Sequence, residues 1–244
     1  MNCCIRKKNF KEIEAELKSP SRPEADPGVF VCEASFEDWT RYVKSEQHAL
    51  MSRAMAWNNG KIYIVELPGG IHETFSRCLD FAVLSATGTG TEHLIPHGST
   101  YVDNLEPIEP DCSFGPVPGI GATQPNGLSW LEYHTLTVEV GVSRSWRQLD
   151  ARAVQWSQFP GVEFILLIRL SPDLEVHRYK LYSVANGALV QPTMPPTPID
   201  NPSNIVLDSR RLLGLPADAP IPANFTAPNL TFDLFPPCRT FYSM

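Results

Sequence analysis

The sequence predicts an α/β fold, a small mixed sheet with helices on its faces, and three observations predict it. Leu136, Val138 and Val140 alternate with Thr137, Glu139 and Gly141, the period of two that sends neighbours to opposite faces of a sheet. Trp146, Leu149, Ala153 and Trp156 then recur at helical spacing until Pro160-Gly161 stops the pattern. Glu163 to Leu170 (EFILLIRL) follows as an almost wholly apolar strand, which implies burial on both faces. A strand–helix–strand unit is therefore expected, with one carboxylate, Glu139, on the polar face of its first strand.

The remaining elements follow in chain order. Residues 1–34 hold a short charged amphipathic helix and the Pro-rich linker SPSRPEADPG, and are expected to form a mobile arm. Ser35 and Asp38 read as an N-cap and a first-turn acid, and FEDWTRYVKSEQHALMSRAMAW is expected to continue helically to Asn58-Asn59-Gly60. Lys61 to Leu67 reads as a strand closed by Pro68-Gly69-Gly70, and a helix from about His72 to Ala86 turns Phe75, Leu79, Ala82 and Val83 inward. GTGTEHLIPHGSTYVD holds a Gly/Thr-rich turn and one or two strands, but lacks the closing Lys of a phosphate loop. Asn104 to Pro110 leads into a short strand at Asp111–Phe114, and the loop GPVPGIGATQPNG separates it from Leu136. After the apolar strand, the polar pattern of Leu174 to Tyr182 suggests an edge strand. From residue 183 onward 11 of the 23 prolines fall in 62 residues, so a tail wrapped on the surface is expected, with one ordered piece near Ile205–Leu213.

Composition bounds the function. At 244 residues the chain can bury a sizeable core, and one domain with appendages is favoured over two. No apolar run approaches the roughly 20 residues that span a bilayer. The charged amino terminus lacks the apolar stretch of a secretory signal. The six cysteines (Cys3, Cys4, Cys32, Cys78, Cys112, Cys238) show no CxxC pair, which points to reduced thiols in an intracellular protein of cytoplasm or nucleus. A net charge of −7 argues against coating nucleic acid by bulk electrostatics. Residues 61–143 carry ten acids against two bases, a net of −8, whereas residues 144–180 carry six bases and four acids, a net of +2. An acidic segment before a mildly basic one suits a cation-dependent site beside a phosphate-facing helix; solvated surface carboxylates are the plainer reading of most of these acids.

At Pro110-Asp111 and Leu136–Gly141 the chain resembles the PD-(D/E)xK nuclease superfamily, and more closely its restriction-endonuclease domain group with fungal members. The features that carry the resemblance are the Gly60-Lys61 strand, Pro68-Gly69-Gly70, His72-Glu73 opening a helix, EPD before a strand, TVEVGVS, and DARAVQW followed by Gly161-Val162. It covers about residues 35–185, with residues 186–244 as a Pro-rich extension packed on that domain. The resemblance implies a restriction-endonuclease-like core with a mostly antiparallel sheet, and metal-dependent phosphodiester hydrolysis of DNA. Asp111 and Glu139 would hold Mg²⁺ or Mn²⁺, because such hard cations take oxygen ligands, often only one or two of them protein carboxylates. His72 and Glu73 would be accessory. Many relatives work as homodimers.

One position departs from the family pattern. Its basic residue belongs two places after the acid, and Gly141 stands there. The nearest replacement is Arg152 on the following helix, with Arg144 and Arg147 as weaker candidates. An arginine can clamp a phosphate but cannot act as a general base. Two other readings therefore stay open: a nuclease fold that has lost catalysis and serves as a binding or scaffold module, and an unrelated interaction domain. Asp111 also reads as a turn former; for Glu139, an acid inside a buried strand, one half of a structural bridge with an arginine is the lesser reading. Glu73 suits a helix N-terminus. His93 and His97 flank a proline without further ligands, and Trp146 and Trp156 read as core.

Overall fold

Six consecutive residues at 136–141, Glu139 among them, are all buried and mark the strand on which the sheet is centred. The computed structural model describes residues 1–239 apart from 20, 68, 104 and 172–176. Pro20 of the linker, Pro68, Asn104, the start of the strand expected at Leu174–Tyr182 and the last five residues of the tail thus lie outside the described residues. In chain order the elements are α1 (Asn2–Arg6), α2 (Phe10–Leu17), β1 (Val29–Glu33), α3 (Phe36–Val43), β2 (Met55–Asn58), β3 (Lys61–Ile64) and α4 (Gly70–Ala86). Then come β4 (Leu94–Pro96), β5 (Cys112–Pro116), β6 (Leu136–Gly141), α5 (Trp146–Ser157), β7 (Phe164–Leu170) and β8 (His177–Ala185). The chain continues through β9 (Ala188–Leu189), β10 (Thr197–Pro198), β11 (Asn204–Asp208), α6 (Ser209–Leu212), β12 (Asn229–Asp233) and α7 (Phe235–Arg239).

The main sheet runs β10-β8-β7-β6-β5-β4, with β9 on β8. Its pairs are antiparallel except β6 with β7, which run parallel and need the crossover that α5 supplies. The fold is therefore the expected α/β arrangement, a mixed and mostly antiparallel sheet flanked by helices. Alternation sorts β6 cleanly. Leu136, Val138 and Val140 pack with Phe75, Leu79 and Val83 of α4, while Glu139 faces α5. On the α5 side Leu149, Ala153 and Trp156 pack against Ile165, Leu167 and Tyr182. Fully burying a side chain such as Leu149 stabilises by about 1.5–3 kcal/mol. Ser145 and Gln148 close a reciprocal capping box that fixes where α5 starts.

Three expectations need correction. The helix begun at Ser35 ends at Val43, and Met55–Asn58 is a strand rather than a helical turn. Asn59 and Gly60, at φ 48° and 79°, make the two-residue turn of a β2–β3 hairpin. Residues 1–34 do not stand off as an arm: β1 pairs with β3, and Ile5, Ile13 and Leu17 are buried against Trp39, Ile62 and Ile64. The tail is more than a surface wrap. β11 and β12 form an antiparallel pair whose Ile205, Leu207, Leu230 and Phe232 belong to the same core as Val138. The strand expected at Leu174–Tyr182 is described as His177–Ala185, and among the described residues the two-residue strands β9 and β10 pair with it on its outer side.

Candidate functional site

Glu139 is fully buried, and a buried carboxylate costs several kcal/mol unless charged or polar partners replace water. Its partners come from the turn after β6 and from α5. Arg144 Nη1 donates to Oε2 at 2.6 Å, and the indole Nε1 of Trp156 donates to Oε1 at 2.7 Å. Arg152 Nε lies 3.3 Å from the same Oε1, while its Nη2 donates to the Glu109 carbonyl at 2.7 Å.

Asp111 directly precedes β5, next to Cys112, whose register partner Val138 is the neighbour of Glu139. Its Oδ2 accepts from the Val140 N–H at 2.8 Å, and its own N–H donates to the Val138 carbonyl at 3.1 Å, which extends the β5–β6 ladder. Arg144 Nη1 is 3.6 Å from that Oδ2, and His72 Nε2 is 3.1 Å from Oδ1. A third buried acid, Glu66, follows β3. Its Oε1 accepts from the Val142 N–H at 2.6 Å, and its Oε2 lies 3.2 Å from Arg144 Nε. Arg144 also donates through Nη2 to the Arg53 carbonyl. One guanidinium thus touches three carboxylates from three separate segments.

The charges are mutually dependent. Burial would raise the Asp111 carboxyl, but the charges of His72 and Arg144 outweigh it and hold the group well below the usual carboxylate range. Burial would strip the proton from His72, yet the Asp111 and Glu66 charges push its pKa to about 9. Burial also works against the Arg144 cation, and the three acids more than compensate, raising its pKa. Glu66 moves the other way: desolvation lifts its carboxyl above the ordinary range despite Arg144. Three acids face three cations, Arg144, Arg152 and His72, so the cluster is close to neutral.

Of the residues singled out from sequence, Asp111, Glu139, Arg152 and His72 come together here. Glu73 stands at the edge, its Oε1 2.6 Å from Arg53 Nη2 and 3.5 Å from His72 Nδ1. Sequence reasoning missed Glu66, ranked Arg144 behind Arg152, and took Trp156 for core alone. The signal for Glu66 was an acid directly after the apolar run of a strand. Gly141 explains why no lysine stands there: a Cβ at that position would lie 2.9 Å from Arg144 Cβ and 3.3 Å from Leu149 Cδ1. The bare backbone leaves room for Arg144 to fold back. His93 and His97 do not meet; His97 Nδ1 is 3.2 Å from Nδ1 of His134.

The donor set does not suit a divalent cation in this arrangement. The position between Asp111 and Glu139 is taken by a guanidinium, and among the described residues no group of three acid, histidine or cysteine side chains is disposed to hold a metal. A cavity of about 150 Å³ borders the cluster, lined by Glu66, Gly70, His72 and Ser143 and by Leu17 and Lys18 of the amino-terminal segment. That segment is fastened across it. Arg22 donates to the Ser143 carbonyl at 3.3 Å, and Gln148 donates to the Asp26 carbonyl at 3.2 Å.

No family model and no curated protein matches the chain. Among solved structures, a "putative nuclease belonging to DUF820" from Anabaena variabilis ATCC 29413 is similar at 15% sequence identity and a TM-score of 0.45. The match covers 84% of this chain and 98% of that one. No helix among the described residues is long and apolar enough to cross a membrane.

Proposed function

We propose that this chain is a nuclease-like protein whose acidic centre has become an internal ion-pair network, so that it acts as a binding or scaffold module without hydrolysing phosphodiesters. The nuclease-like part rests on the ordered motifs around Asp111 and Glu139 and on the meeting of those two side chains at adjacent strands. The silent part rests on one observation, the Arg144 guanidinium 2.6 Å from Glu139 and within 3.6 Å of Asp111 and of Glu66. Its charge and donors stand where a catalytic cation would have to bind. The acids themselves are buried, at 3%, 5% and 0% exposure for Glu66, Asp111 and Glu139, beyond the reach of a DNA backbone.

A rival reading keeps one observation in its favour, the convergence of Asp111 and Glu139. In it these residues hold Mg²⁺ or Mn²⁺ for DNA hydrolysis and Arg152 contacts phosphate. Arg152 already spends Nε on Glu139 and Nη2 on a backbone carbonyl, which weakens its candidacy. Incubation with single- and double-stranded DNA in Mg²⁺ or Mn²⁺, with calorimetric titration of both metals, separates the two. The expected result is neither cleavage nor heat of binding. Cleavage that vanishes in both Asp111→Ala and Glu139→Ala would overturn the silent reading.

A further inference from the structure

We infer that Cys3 and Cys4 are a site of S-acylation, and that the long-chain acyl groups, together with Arg6, Lys7 and Lys11, fasten this protein to an anionic bilayer surface. The inference is independent of the buried ion-pair centre. Cys3 and Cys4 stand just before the run Arg6-Lys7-Lys8, and four of the chain's 20 basic residues fall between positions 6 and 11. None of its 27 acids precedes Glu12, although the whole chain carries a net charge of −7. The positive charge is therefore local, and it follows the only adjacent pair of cysteines in the sequence. Cysteines beside a basic, amphipathic helical segment are the usual setting for reversible acylation.

The fold turns these groups outward. Ile5 is fully buried beneath α1, whereas Cys3, Arg6, Lys7 and Lys11 are exposed. Arg6 and Lys7 follow Cys3 by three and four residues, one helical turn on the same face. Lys18 and Arg41 pair with acids one turn away, but Arg6, Lys7 and Lys11 are in no ion pair among the described residues. Lys8 is committed elsewhere, its Nζ donating to the Phe30 carbonyl at 2.8 Å. Cys4 is half-buried, with its thiol hydrogen-bonded to that of Cys32, so Cys3 is the first acceptor and Cys4 the second. In the transfer the cysteine sulfur attacks the carbonyl carbon of a long-chain acyl-coenzyme A. A new C–S bond forms, the bond to the coenzyme A sulfur breaks, and the cysteine proton passes to that departing sulfur. One acyl chain alone gives marginal, reversible membrane binding, and a basic patch supplies the second signal that stable attachment needs. Each base close to an anionic surface strengthens binding roughly fivefold.

The test expresses the full chain in cultured eukaryotic cells supplied with an alkynyl palmitate. Label on the purified protein is measured before and after neutral hydroxylamine, which cleaves thioesters. Wild type should carry label that hydroxylamine releases. Cys3→Ser should lose more of it than Cys4→Ser, and the double variant should lose all of it, while Cys32→Ser and Cys78→Ser should keep it. The acylated protein is then sedimented with vesicles of phosphatidylcholine, with and without added phosphatidylserine. Binding should be tighter on the anionic vesicles. Arg6→Gln, Lys7→Gln and Lys11→Gln combined should weaken it there by on the order of 10²-fold and leave binding to neutral vesicles nearly unchanged. An unchanged circular dichroism spectrum checks that these surface variants fold. Absence of label, label that resists hydroxylamine, or label that survives in the double cysteine variant overturns the acylation site. Equal binding of acylated wild type to both kinds of vesicle overturns the basic patch as the second signal.

Discussion

Two buried histidine sites in this protein share an environment and reach opposite charge states. His72 is 4% exposed, His134 1% and His97 9%, and burial disfavours the imidazolium at all three. His72 has the Asp111 carboxylate 3.1 Å from Nε2 and Glu66 beyond it, and its pKa rises to about 9. His97 and His134 chiefly have each other, and both fall to about 4. The Thr100 carbonyl, 3.1 Å from His134 Nε2, can only accept, so that nitrogen carries the proton and His134 Nδ1 accepts from His97. A second proton on that pair would set two N–H groups against each other. Burial sets the direction for a group without a charged partner, and a carboxylate within about 3 Å reverses it.

The largest test of this contrast removes the cation that lets the acids around His72 stay charged. Arg144→Ala leaves Glu139 and Asp111 buried with less compensation, and breaking such a pair costs about 3–5 kcal/mol. Urea unfolding of the variant, without metal, should show a midpoint lowered to match. A midpoint within error of wild type would mean the network is solvated and the buried-cluster description is wrong.

The second test is pH. His97 and His134 have folded pKa values below the ordinary 6.5, so their contribution to stability is present above 6.5 and is lost as pH falls towards 4. His72 has a folded value raised to about 9, so its contribution is full below 6.5 and is lost as pH rises towards 9. Stability should therefore decline on both sides, for different histidines. His134→Gln should flatten the acid limb and His72→Gln the alkaline one. A variant that alters the wrong limb would reverse the assignment.

How much of this was readable in advance varies with the kind of signal. The β6–α5–β7 unit was legible because apolar residues repeat there with the period of each element, and Glu139 stood out as an acid inside a buried strand. Its partner did not. Arg144 lies in a turn, where no period says which way a side chain points, and only the fold brings it back over Gly141. Glu66 resembled the polar end of a strand until Val142 and Arg144 were seen to meet it. The Asn59-Gly60 turn was in view, yet the helical spacing before it outweighed the hairpin signal, and β2 was read as helix. Proline content suggested a surface tail, and the apolar Val206 between Ile205 and Leu207 hid the alternation of buried and exposed positions that the strand shows. The sparse apolar residues of α1 and α2 gave too little pattern to foresee their shared core with β3.

A third test takes the neutral donor from the cluster. Trp156→Phe keeps most of the buried ring but removes the indole N–H that lies 2.7 Å from Glu139. A hydrogen bond to a buried charge contributes about 1.5–3 kcal/mol, so the loss should be smaller than for Arg144→Ala. The two should also be non-additive, since both act on one carboxylate. Strict additivity in the double variant would show that Trp156 contributes by packing alone.

The smallest expected effect comes from an ion pair with similar distances and a different dielectric. Arg41 Nη2 is 3.0 Å from Glu37 Oε1 and Nη1 is 3.3 Å from Asp38 Oδ1 on α3, but Arg41 and Glu37 are 70% and 84% exposed. Water screens such pairs, and they contribute about 0.3–0.5 kcal/mol on a helix. Arg41→Ala should shift the urea midpoint barely beyond error, and the shift should fade in 1 M salt. Arg144→Ala should keep its effect in the same salt, because ions cannot enter a cluster whose acids are at most 5% exposed. Equal salt sensitivity for the two variants would mean that distance rather than burial governs both, and the contrast between the protein's interior and surface charges would fail.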